Sequence, residues 1–100
     1  MIEALGIIET IGFTAAIEAA DAAVKSANIK LGNWVKVGGG HVNIIIRGDV
    51  ASVKAAVEAG VEAASRIGTV QSQVVLPRPS DKLMPKFQLD PIKAVKKTTK

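Results

Sequence analysis

Three consecutive glycines, Gly38-Gly39-Gly40, separate two strand-like runs, Ile29 to Val37 and His41 to Arg47. A connection that short forces the runs to pair as an antiparallel hairpin, because a parallel crossover needs a dozen residues or more. The rest of the chain arranges itself around this hairpin. Ala4 to Thr10 is apolar and β-branched, with Gly12 behind it, and reads as a strand. From Thr14 to Ala27 the chain is alanine-rich and helical, with Ile17, Asp21 and Val24 spaced to separate faces. Gly48-Asp49 ends the hairpin's second strand and opens another helix. Asp49 is a good N-cap, Val50, Val53, Val57, Val61 and Ala64 form one apolar stripe, and Gly68 stands at the C-terminal stop. Val70 to Leu76 supplies a last strand, ended by Pro77-Arg78-Pro79, whose prolines cannot donate ladder hydrogen bonds.

The order β-α-β-β-α-β predicts a ferredoxin-like α+β domain, in which two helices cover one face of a four-stranded antiparallel sheet. The domain is expected over residues 1–87, with an amphipathic helical turn at 82–89 that Pro91 interrupts. Residues 88–100 form a basic tail that is expected to be mobile. Small residues dominate both helices, among them Ala16, Ala19, Ala23, Ala56, Gly60 and Ala63. They predict a thin core in which backbones approach closely, and wide alanine faces also suit subunit contacts.

The formal charge of +4 raises nucleic acid as a partner, but its distribution argues against that. Residues 1–81 hold seven Lys/Arg against eight Asp/Glu, net −1, whereas residues 82–100 hold six lysines against Asp90, net +5. Only Phe13, Trp34 and Phe87 are aromatic, and Ile44, Ile45 and Ile46 stand where an RNA-binding sheet carries stacking rings. A near-neutral body that is 48% hydrophobic favours self-association instead. With no cysteine there is neither a disulfide framework nor a thiolate metal site. Met1-Ile2-Glu3-Ala4 lacks a basic leader, and Glu3, Glu9, Glu18 and Asp21 interrupt any membrane-spanning run. The expectation is a cytosolic protein that neither crosses a membrane nor binds nucleic acid.

Material for catalysis is scarce. Nucleophilic chemistry needs a thiol, hydroxyl or amine beside a proton acceptor, and the chain has one histidine, no cysteine and no tyrosine. His41 follows the glycines on a strand, the setting of an ordinary, partly exposed histidine, and no second imidazole exists to share a metal within one chain. Glu58 and Glu62 read as a solvated helix face. The glycine triplet lacks the Lys-Ser/Thr ending of a phosphate loop and the spacing of a dinucleotide fingerprint, and it joins two strands where those motifs open a helix. No enzyme activity, cofactor or metal is expected.

Taken in order, five motifs resemble the hexamer-forming shell proteins of bacterial microcompartments. They are Glu3-Ala4-Leu5-Gly6-Ile7-Ile8-Glu9-Thr10, Ala16-Ile17-Glu18-Ala19-Ala20-Asp21-Ala22 with Val24-Lys25, the glycine hairpin, Arg47-Gly48-Asp49-Val50 and Pro77-Arg78-Pro79. The resemblance covers residues 2–87 and implies a structural tile. Six copies close into a ring around a pore for small polar metabolites, and rings tile into the facets of an organelle shell with other shell proteins, around encapsulated enzymes. It further implies that Lys36, Val37, Gly38, Gly39, Gly40 and His41 border the pore, with Gly39 at its narrowest point. Lys25, Asn28 and Arg78 then lie where two rings meet. Ser80 stands where the family usually shows histidine, and Asn33 and Trp34 replace more usual glycine-containing text. The alternatives from the residues alone are a ferredoxin-like regulatory domain binding a small effector in a subunit cleft, and an enzyme using substrate-assisted chemistry.

Overall fold

The computed structural model of the chain describes residues 3–32, 34–80 and 82–83. Its elements follow the expected order, with one strand divided: β1 (Ala4–Ile11), α1 (Phe13–Ser26), β2 (Lys30–Leu31), β3 (Val35–Lys36), β4 (His41–Gly48), α2 (Val50–Ile67) and β5 (Thr69–Leu76). The sheet runs β2-β4-β1-β5, β3 also pairs with β4, and every pairing is antiparallel. This is the ferredoxin-like arrangement, with the two helices packed on each other and on one face of the sheet. The expected turn over 82–89 and the tail over 88–100 lie outside the described residues, apart from Lys82 and Leu83.

The expected strand from Ile29 to Val37 is not continuous. Leu31 pairs with Ile46 and Val35 with Asn43, so four residues on one side span three on the other and one residue bulges out. Close contact explains where the break falls: Gly32 donates its N–H to Ile45 O at 2.8 Å, and a Cβ there would lie 3.2 Å from Ile45 Cγ2. After the bulge, Trp34 meets Phe13 edge to face with ring centroids 5.1 Å apart, at the start of α1.

Alternation along β1 assigns the faces. Ala4, Gly6, Ile8 and Thr10 are all buried, and side chains built on Gly6 would strike Val53 and Val57 of α2. Their β4 neighbours Val42, Ile44 and Ile46 join the same core, which α1 and α2 close with Ala15, Ala16, Ala19, Ala23, Val53, Ala56, Val57 and Ala64. The helices approach closely because Gly60 has no side chain: a Cβ there would sit 2.9 Å from the Ala19 carbonyl oxygen. The alanines are therefore core residues, while the larger Ile17 and Val24 of α1 are 52% and 44% exposed. The expected valine stripe of α2 holds at Val53 and Val57, whereas Val50 in the first turn is 41% exposed.

Caps fix the ends of α2. Asp49 accepts from Ser52 N and from Ser52 Oγ, each at 2.9 Å, and Gly68 N–H returns to Ala64 O at 2.9 Å. The hydrogen bond from the Ser52 backbone holds the Asp49 carboxyl below its ordinary pKa. Its contribution is thus present above the unfolded-state pKa and is lost as pH falls through the lowered folded-state value.

Two predictions follow from this packing. Gly60→Ala gains about 1 kcal/mol of helix propensity, yet overpacking against Ala19 typically costs about 1–3 kcal/mol, so urea denaturation is expected to show a net loss of stability. Asp49→Ala is expected to lower the melting temperature at pH 7 and to make melts below about pH 4 less sensitive to acid than those of the unaltered chain.

Candidate functional site

All three hairpin glycines adopt left-handed backbone, with φ of 74° at Gly38, 64° at Gly39 and 81° at Gly40. Positive φ at consecutive positions strains any residue with a Cβ, so the local turn requires the whole triplet. The turn is closed by His41 N–H donating to Gly38 O at 3.1 Å and by Val37 N–H donating to His41 O at 2.9 Å. It is also anchored from outside the hairpin, because Gly12 N–H donates to Gly40 O at 2.7 Å. Space is not the constraint within one copy: Cβ atoms at Gly38 and Gly40 would meet nothing within 4 Å. A groove of about 300 Å³ beside the turn is lined by Gly12, Phe13, Lys36, Gly38, Gly40, His41 and Val42. Four of the six expected pore residues thus meet there. Val37, 48% exposed, and Gly39, exposed, lie outside that groove.

His41 is fixed by residues that sequence reading did not single out. Its Nδ1 lies 3.1 Å from Glu9 Oε2, and Glu9 Oε1 accepts from Ser72 Oγ at 3.1 Å. Register explains the cluster: Glu9 pairs with Asn43 on one side and Ser72 on the other, and His41 lies two residues from Asn43 on the same face, away from the helices. The available signal was Glu9 itself, a lone carboxylate in the apolar run Leu5 to Ile11. Asn43 Oδ1 and Arg47 Nε are buried without hydrogen-bond partners, although the Arg47 Nη2 reaches Glu3 Oε1 at 2.7 Å.

The expected edge residues lie at the other end of the sheet. His41 pairs with Ile11, whereas Gly48 pairs with Ala4 and Leu76 with Leu5, eight-residue strands giving a separation of about 25 Å. Arg78 follows Leu76, and Asn28 O would lie 3.6 Å from a Cβ on Gly48. Lys25 is in the last turn of α1, which runs back from the hairpin end. Its Nζ pairs with Asp21 Oδ2 at 2.9 Å on an exposed face, and that hydrogen bond and charge raise its pKa, so it stays charged. The three do not form a cluster. Asn28 lines a groove of about 380 Å³ with Glu3, Ile29, Lys30, Arg47, Gly48 and Asp49, and neither Lys25 nor Arg78 does.

Comparison with known proteins adds a second line of observation. A family model described as the BMC domain matches residues 4–79. The chain is 55% identical over 87 residues to bacterial microcompartment shell protein PduA of Salmonella typhimurium, covering 84% of this chain and 93% of that protein. It is 51% identical to bacterial microcompartment shell protein EutM of Escherichia coli, over 87% of this chain and 90% of the relative. With carboxysome shell protein CcmK2 of Synechococcus elongatus the identity is 48%, over 80% of each. A crystal structure of a microcompartment protein from Desulfitobacterium hafniense superposes with a TM-score of 0.74 at 32% identity, covering 83% of this chain. This chain spans 45% of that protein's length.

Backbone strain in the turn is directly testable. Gly40→Ala is expected to lose about 1–2 kcal/mol in urea denaturation, and Gly40→Asn should lose less, because asparagine tolerates the left-handed region. Equal losses would mean that the side chain, not φ, is what the site rejects.

Proposed function

The chain belongs to the BMC domain family and is a structural shell protein of bacterial microcompartments; on that premise we propose that six copies close into a ring around the Gly38–Gly40 turn and that rings join edge to edge through Lys25, Asn28 and Arg78. The single observation that carries the reading is geometric. The turn and the edge residues stand at opposite ends of one sheet, as a tile with a central opening and an outer rim requires. The tile performs no reaction. Its chemistry is passage: Gly38, Gly39 and Gly40 bring backbone N–H groups to the opening without side chains to block it, Lys36 adds positive charge, and small polar or anionic metabolites fit those donors.

The surface supports assembly. Among the described residues nine large apolar side chains are 41% to 54% exposed, including Ile17 and Val24 on α1, Ile67 at the end of α2 and Val74 on β5. They suit burial between neighbouring copies. At the rim, each Lys25 would meet its twofold copy, so the two ammonium groups splay and reach backbone carbonyls of the adjoining ring along an apolar stem. Other shell proteins join the same edges, and encapsulated enzymes lie inside the shell. The relatives named above are shell proteins, and none lends support to the effector-binding regulatory alternative.

Lys25→Ala separates ring from sheet. The variant is expected to keep closed rings in native mass spectrometry and to lose extended sheets in negative-stain electron microscopy. Sheets that persist would remove Lys25 from the edge.

A further inference from the structure

His41 is held in a way that leaves one ring nitrogen open. Glu9 Oε2 lies 3.1 Å from Nδ1; a carboxylate accepting there takes the Nδ1 proton's hydrogen bond and leaves Nε2 as the nitrogen that can offer a lone pair. Ser72 Oγ donates to the other carboxylate oxygen and braces Glu9 from β5, so the imidazole is oriented from three strands. Among the described residues no further hydrogen bond engages the ring. Its Cδ2, the carbon bonded to Nε2, is 3.5 Å from the position of a Cβ on Gly39, so the free nitrogen's edge borders the glycine turn. A carboxylate at one ring nitrogen with the other nitrogen unengaged is the arrangement that prepares a histidine to ligate a metal.

One copy supplies one such ligand, and among the described residues no three His, Cys, Asp or Glu groups converge on a metal-sized point. We propose that His41 imidazoles of neighbouring copies together bind a divalent transition-metal ion of the zinc class through Nε2 at the mouth of the central opening. This rests on the ring reading above, because the site is incomplete without the copies that the ring brings together. Imidazole nitrogen suits zinc, copper and nickel and not magnesium or calcium, and zinc completes four-coordination with water. Lys36 lines the same groove, and a Glu9 carboxyl stands behind each His41. A metal held there ties copies together and narrows the opening.

The test uses the full chain as assembled rings, established first by native mass spectrometry, and titrates zinc chloride with calorimetry and elemental analysis. Saturable binding of at most about three zinc ions per six chains, each ion taking two or more imidazoles, is expected. Glu9→Gln should weaken it by about 10–100-fold, and His41→Ala should abolish it. Pulsed electron paramagnetic resonance of copper(II) on the unaltered rings should show imidazole nitrogen couplings, which needs no variant. Rings that bind no zinc, that bind it equally after His41→Ala, or that show no imidazole coupling overturn the proposal while leaving the ring intact. A chain that forms no rings overturns both.

Discussion

The hydrogen bond from Gly12 N–H to Gly40 O, 2.7 Å long, joins the two parts of the chain on which everything else depends. Gly12 has a φ of 93° and sits where β1 gives way to α1, while Gly40 is the last of three left-handed residues at the hairpin tip. Without that tie a glycine triplet would be a pliable loop. With it, the tip is fixed to the end of a central strand. The strands then carry that position about 25 Å to the far end, where the β5 exit and the end of α1 present Arg78 and Lys25. A shell tile needs a stiff path of this kind between opening and rim.

The second constraint is size. Gly60 against Ala19 and Gly6 against Val53 and Val57 draw helices and sheet so close that the core is filled mostly by alanine and by β-branched residues of the sheet. Ile17 and Val24 are exposed on the helix whose alanines are buried. A domain of 100 residues buries only about two thirds of its unfolded surface and keeps a modest stability margin. In the proposed ring, neighbouring copies would cover exposed apolar side chains such as Ile17 and Val24 and so add to that margin.

Much of the architecture was legible because its signals are local. Asp49 and Gly68 mark α2 through capping chemistry that acts within a few residues, and the shortness of the glycine connection specifies its hairpin. The bulge that divides β2 from β3 was not legible, because it arises from the approach of Gly32 to Ile45, thirteen residues on. Val50 misled because the heptad-like pattern includes it, yet as the first residue of α2 it is 41% exposed. At the turn, Lys36, the glycines and His41 were found by proximity in sequence. Glu9 and Ser72 were missed because only strand register brings positions 9, 41 and 72 together. The function came through a resemblance carried by ordered motifs spread along the chain, each of them weak by itself.

The central claim is that the left-handed turn stands on a symmetry axis, and a cryo-electron microscopy reconstruction of the assembled full chain tests it most directly. The account predicts a sixfold ring whose axis passes beside Gly39, with Lys25 and Arg78 at the perimeter. A ring with the turn at its outer edge, or a particle without sixfold symmetry, would contradict it.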